Sequence, residues 1–173
     1  MATGSKTTSK TAGAVKGAAK ALAGYPGIFH HLAGEHAEVS ALMQRVAASS
    51  PDSNVRDELF PEIRRNLLAH AHGEEEEFYP RLREHTEIEP LVRQCLQEHE
   101  QVEHFLEQLD AEEKSTDTWQ GRFREMMQAV ESHVEREENE LFPKAKELMS
   151  GQDAREMEER YESVEAREKQ RLQ

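Results

Sequence analysis

The sequence predicts an all-α protein: an antiparallel up-down four-helix bundle with an extra polar C-terminal helix and a flexible N-terminal tail. Three observations carry this. Four segments place apolar residues at alternating steps of three and four, the seam that faces a bundle centre. Glu, Gln, Arg, Leu, Ala and Met abound while β-branched runs are missing, which favours helix over strand. The connections are short, which makes consecutive helices antiparallel neighbours.

The chain has 173 residues, which fits one domain with tails. Residues 1–26 are read as a Lys/Ala-rich tail, 27–149 as the bundle and 150–173 as the polar C-terminal helix. The tail offers few side chains that anchor a core. Helix one carries Phe29, Leu32, His36, Val39, Met43 and Val46 and ends before Ser49-Ser50-Pro51. Helix two carries Phe60, Ile63, Leu67, His70, Glu74 and Phe78, with Asp52 or Ser53 as its cap. Pro61 either kinks it or marks the first turn of its main segment. Helix three opens near Pro90 and carries Val92, Cys95, His99, Val102, Leu106 and Leu109. Helix four, capped by Ser115, Thr116 or Asp117, carries Phe123, Met126, Val130, His133, Glu137 and Leu141. The fifth, roughly 153–169, is so polar that it is expected outside the bundle or in solvent.

The net charge is −13. Four lysines and no acid precede Glu35, so the remainder carries −17. Such a body repels nucleic acid and anionic membranes. Cys95 is the one cysteine, which excludes an intrachain disulfide and fits a reducing compartment. No apolar run approaches the roughly 18 residues that span a bilayer. A cytoplasmic location is therefore expected.

Each seam is apolar until it meets a His, or a His followed four residues later by Glu. Residues four apart share a helix face, so His70 with Glu74, and His133 with Glu137, offer nitrogen and carboxylate to one interior point. An offset of 63 residues links His36 to His99, His70 to His133 and Glu74 to Glu137. It also links Phe60 to Phe123, Val39 to Val102 and Pro80 to Pro143. Two hairpins of one pattern can pack about a pseudo-twofold axis. Side chains facing the axis then come in pairs, enough for two metals with two His each and two shared carboxylates. A buried carboxylate without a partner costs several kcal/mol, and two in one dry core repel. A cation pair removes both problems. Nitrogen and oxygen donors without thiolate suit iron, manganese or zinc.

These residues resemble the hemerythrin family in its bacterial form, the HHE cation-binding domain. The matching stretches are Glu35-His36, HAHGEEEEFYP (70–80), QEHEQV (97–102) and HVEREENELFP (133–143), and the resemblance covers roughly residues 27–148. It implies a four-helix bundle around two non-haem irons, possibly oxo- or hydroxo-bridged. His36, His70, His99 and His133 would be terminal ligands, and Glu74 and Glu137 bridging carboxylates. Oxygen-carrying members have HxxxH on helix three, where this chain has Glu103; the related position on helix one is Ser40. Glu103 is thus a candidate additional ligand. The departure points away from reversible oxygen carriage and towards sensing of oxygen or nitric oxide, iron handling or peroxide decomposition.

The remaining residues take plainer readings. Glu75, Glu76, Glu138 and Asn139 are read as a solvated face. His72 with Glu76 is a rival register with a poorer core behind it. His30 and His31 are read as surface residues, and His85 as a turn residue. Cys95, Met43, Met126 and Met127 are read as packing. Tyr79 and Phe142 are expected to close the end of the bundle, with Tyr79 a candidate for a hydrogen bond beside the site. Three functions follow: a di-iron protein that reacts with or senses oxygen, peroxide or nitric oxide; an iron-binding or storage module without turnover; and a metal-free interaction module. The Glu-x-x-His spacing of ferritin-like sites occurs at none of the nine histidines. The implied partner is a small diatomic molecule or peroxide, and the C-terminal helix is a candidate surface for a protein partner.

Overall fold

The computed structural model describes residues 27–51 and 53–173. The tail at 1–26 and the proposed cap Asp52 lie outside the described residues. Among the described residues five main helices follow in order: α1 (Ile28–Ala47), α2 (Val55–Gly73), α3 (Glu89–Ala111), α4 (Asp117–Arg136) and α5 (Gly151–Arg171). Neither α2 nor α4 stops at its last residue. Each continues through a π-helical turn, Glu74–Phe78 and Glu137–Leu141, into a further α-helical end, Tyr79–Leu82 and Phe142–Leu148. The first four helices form the bundle. α1 packs on α2 and α4, and α3 packs on α4 and α2.

Local chemistry sets the helix ends. α1 starts after Gly27, whose φ of 64° is strained for any residue with a Cβ. A Cβ there would also lie 2.4 Å from the Ala154 backbone, so this glycine lets the start of α5 approach the start of α1. The Thr116 hydroxyl accepts from the Trp119 amide at 3.1 Å and caps α4. Ser150 and Asp153 cap α5 reciprocally. Asn54, rather than Ser53, precedes α2, and its side chain makes no capping hydrogen bond. Pro61 lies within α2 on an exposed position.

The apolar core forms two clusters. One gathers Phe29, Phe78 and Phe142, whose rings meet edge-on at 5.6–5.9 Å. The other centres on Trp119, stacked on Phe123 at 5.0 Å and edge-on to Phe60. The Trp119 indole N–H donates to the Leu109 carbonyl at 3.0 Å. Between the clusters lie the histidines and glutamates of the seams.

Of the two positions expected for it, outside the bundle or in solvent, α5 takes the first. It buries Ala154, Met157, Tyr161, Val164 and Glu168, a stripe of steps three and four, against α2 and α1. Arg160 pairs with Glu77, Arg167 with Glu76, and Glu168 with His72. Each exposed pair contributes little, about 0–1 kcal/mol; the apolar stripe carries the docking. Among the described residues no helix is long and apolar enough to cross a membrane.

Truncating Trp119 removes the largest fully buried side chain and a satisfied N–H. Trp119→Ala is expected to cost about 3–5 kcal/mol, measured as the loss of unfolding free energy in urea. A loss under 1 kcal/mol would contradict its place at the centre of that cluster.

Candidate metal centre

Six side chains from all four bundle helices meet between the two apolar clusters. His36 comes from α1, His70 from α2, His99 from α3 and His133 from α4. Glu74 and Glu137 open the two π-helical turns. All six are buried, and both glutamates are 0% exposed.

The geometry repeats across the pseudo-twofold. Glu74 Oε2 lies 3.4 Å from His70 Nε2 and 3.3 Å from His99 Nε2. Glu137 Oε2 lies 3.4 Å from His133 Nε2 and 3.3 Å from His36 Nε2. The Nε2 atoms of His36 and His70 stand 3.3 Å apart, and those of His99 and His133 stand 3.2 Å apart. Two donor groups result: His36, His70, Glu74 and Glu137, and Glu74, His99 and His133. Each carboxylate therefore faces one imidazole from each histidine pair.

The far side of each ring explains its orientation. Every Nδ1 meets a carboxylate: His36 with Glu138 at 2.9 Å, His70 with Glu35 at 3.0 Å, His99 with Glu75 at 2.9 Å and His133 with Glu98 at 3.1 Å. A carboxylate only accepts, so Nδ1 is the donor. The neutral ring then keeps its Nε2 lone pair aimed at the centre, the arrangement in which an imidazole binds a metal. These four carboxylates were not assigned to the site from sequence. Glu138, read there as solvated, is buried because the π-helical turn brings both 137 and 138 inward. Glu75 is exposed, as read, yet its carboxylate still reaches His99. The 63-residue offset held the missed signal, for it pairs Glu35 with Glu98 and Glu75 with Glu138.

The turns themselves have a cause. Tyr79 N–H donates to the Glu74 carbonyl and Phe142 N–H to the Glu137 carbonyl, each five residues back. Pro80 and Pro143 follow directly and lack the N–H that ordinary helical pairing would use. Such widened turns occur often at functional sites. They aim two matched rings at the centre. Tyr79 lies against His99 at 5.4 Å, and Phe142 stacks on His36 at 6.1 Å. The hydroxyl breaks the symmetry: Tyr79 donates to Glu137 Oε1 at 2.7 Å and lies within hydrogen-bond reach of Glu74 Oε2 at 3.0 Å.

Electrostatics shows what the site demands. Burial alone would lower the His36 and His99 pKa values. The carboxylates of Glu137, Glu138, Glu74 and Glu75 around them outweigh burial and raise them to about 10 and about 9. Burial would raise Glu137, but His133, His36 and His70 hold it well below the usual carboxylate range. Protons thus balance the charge when no cation does. Even so, Glu74 Oε1 and Glu137 Oε2 accept no hydrogen bond. Buried carboxylate oxygens without donors, opposite inward imidazole nitrogens, are a donor set that could hold a multivalent cation.

The other sequence candidates fall away from this point. Glu103 is exposed and belongs to neither donor group; it lines a cavity of about 30 Å³ beside His99 and His133. A second cavity of about 30 Å³ approaches His36 and His70. His72 turns outward to Glu168, which removes the rival register. His30 is exposed, whereas His31 is only partly so. Ser40 is buried and accepts from Gln44.

A DNA nickase from Nostoc sp. (strain PCC 7120 / SAG 25.82 / UTEX 2576) is 28% identical over 138 residues, covering 80% of this chain and 39% of that protein. The chain thus spans about two-fifths of that relative's length. No solved structure matches significantly. The sequence profile described as Hemerythrin HHE cation binding domain matches residues 27–145, which include every side chain of the converging cluster. The chain belongs to the hemerythrin HHE cation-binding domain family.

Proposed function

We propose that this chain is a non-haem di-iron protein that reacts with or senses dioxygen, peroxide or nitric oxide. The observation that carries the reading is the position of Glu74 and Glu137, each buried and each facing one Nε2 from both histidine pairs. His36 and His70 would hold one iron, His99 and His133 the other, and the two glutamates would bridge them. Bound iron would supply electrons and open positions for a small oxidant.

The chain's own residues set the conditions. Glu35, Glu75, Glu98 and Glu138 fix each imidazole through Nδ1 and make Nε2 more basic. The two apolar clusters keep bulk water out. The two small cavities have room for a water or a diatomic molecule. Burial, with Glu137 and Glu74, raises the Tyr79 phenol well above its usual range, so Oη keeps its proton and holds it in the hydrogen bond to Glu137. Iron holding without turnover uses the same donors and is separated by peroxide consumption. Strand cleavage is not carried over from the longer relative: the net charge of −13 opposes DNA binding.

Protein purified without added metal is expected to contain about two irons per chain, with near-ultraviolet bands of a bridged pair after oxidation. It should also consume added peroxide. His70→Ala and Glu137→Gln should each lower the iron content by at least half. Zinc alone, with no peroxide consumption after iron reconstitution, would overturn the redox reading.

The pH dependence has a definite sign in chelator-treated protein. His36 and His99 are raised from 6.5 to about 10 and about 9. Their contribution to stability is complete below pH 6.5 and is lost as pH rises through 9 to 10. Glu137 is depressed below 4.5, so its contribution is complete above pH 4.5 and is lost in acid. The urea midpoint should therefore fall between pH 7 and pH 10. Zinc binding at pH 7 in weak buffer should release protons from both histidines. An alkaline profile that stays flat, with no proton release, would contradict the charge balance derived above.

A further inference from the structure

The pseudo-twofold fails at one place outside the centre. His133 Nδ1 is held by Glu98, and Glu98 is held in turn by Arg136 from α4. His70 Nδ1 is held by Glu35, but Glu35 has no such arginine. Its Oε2 accepts from the Tyr161 hydroxyl at 2.5 Å, and the same hydroxyl lies 3.1 Å from His70 Nδ1. Lys169 stands 4.0 Å from the other oxygen of Glu35, and His31 stands 3.9 Å from it. Both Tyr161 and Lys169 belong to α5, which lies beyond the residues that the family profile matches.

The backbone makes room for this contact. Tyr161 is fully buried, and its ring lies so close to α2 that a Cβ at Gly73 would meet Cε2 at 2.5 Å. Gly73 lies three residues after His70 and one before Glu74. The glycine thus admits the ring where its hydroxyl reaches the His70–Glu35 pair. Three polar atoms close a triangle: imidazole Nδ1–H and phenol O–H both donate to one carboxylate oxygen. That arrangement holds the proton on Nδ1 and the lone pair on Nε2. It also limits how far the His70 ring can turn.

We propose that Tyr161 is a positioning residue for the metal centre, acting through Glu35 on His70, and that helix α5 therefore completes the histidine pair His36–His70. The inference rests on the metal-centre reading above. Its reach is specific: it concerns one of the two cation positions, because Arg136 does the corresponding work at the other. Loss of an outer partner of a metal-binding histidine typically weakens affinity about 10- to 100-fold.

The test is cobalt(II) titration of the full metal-free chain, following visible absorption, with helix content checked by circular dichroism. Tyr161→Phe keeps the ring and removes the hydroxyl. It should lower the affinity for one of two equivalents about 10-fold, alter the cobalt absorption envelope and leave helix content unchanged. Gly73→Ala, which displaces the ring without removing a polar group, should do the same. Arg160→Ala breaks the ion pair of α5 with Glu77 but leaves Tyr161 in place, and should bind cobalt as the wild type does. Tyr161→Phe with wild-type affinity and spectrum would overturn the proposal. Arg160→Ala with an equal loss would also overturn it, by assigning the effect to helix docking alone. A wild-type chain that takes up no cobalt would sink the metal-centre reading and this inference with it.

Discussion

Two carboxylates in the middle of an apolar core are the constraint on which the structure turns. Glu74 and Glu137 are wholly buried, and each leaves an oxygen without a hydrogen-bond donor. Uncompensated, each would cost several kcal/mol. The surrounding architecture answers that cost. Four histidines converge on the two groups, and four further carboxylates orient the histidines. The apolar clusters on either side keep the pairing dry, which strengthens every interaction inside it. Without a cation, raised histidines balance the charge; the same inward nitrogens and carboxylate oxygens could hold a metal instead.

Much of this was legible in the sequence because its signal is periodic. The three-four seams fix which face of each helix is inside, and the 63-residue offset fixes which residues are partners. His36, His70, His99, His133, Glu74 and Glu137 come together in space as that offset pairs them. Thr116 was among the candidate caps for α4, and Cys95 lies in the core as read.

What was not legible shares a different property: it depends on a change of helical phase or on a contact between distant helices. The π-helical turns use residue types found in any acidic helix, and the matched prolines were the one trace of them. Because those turns shift the phase, Glu138 points inward beside Glu137, although Asn139 and Glu140 are exposed. The docking stripe of α5 was hard to see because it includes Ala154 and Glu168, which add little hydropathy. Tyr161 contacts Glu35 across 126 positions, and no local pattern announces such a pair. Tyr79 was read mainly as a lid for the bundle end, yet its hydroxyl binds both central carboxylates.

The site thus has a symmetric interior and an asymmetric surround. Tyr79 faces Phe142 in the matched position, and Tyr161 with Glu35 faces Arg136 with Glu98. The central claim is that two metals share Glu74 and Glu137. X-ray absorption of the iron-loaded chain tests it most directly. The account predicts a shell of nitrogen and oxygen only, with a second iron scatterer within about 4 Å. A single isolated iron, or a sulfur in its shell, would contradict it.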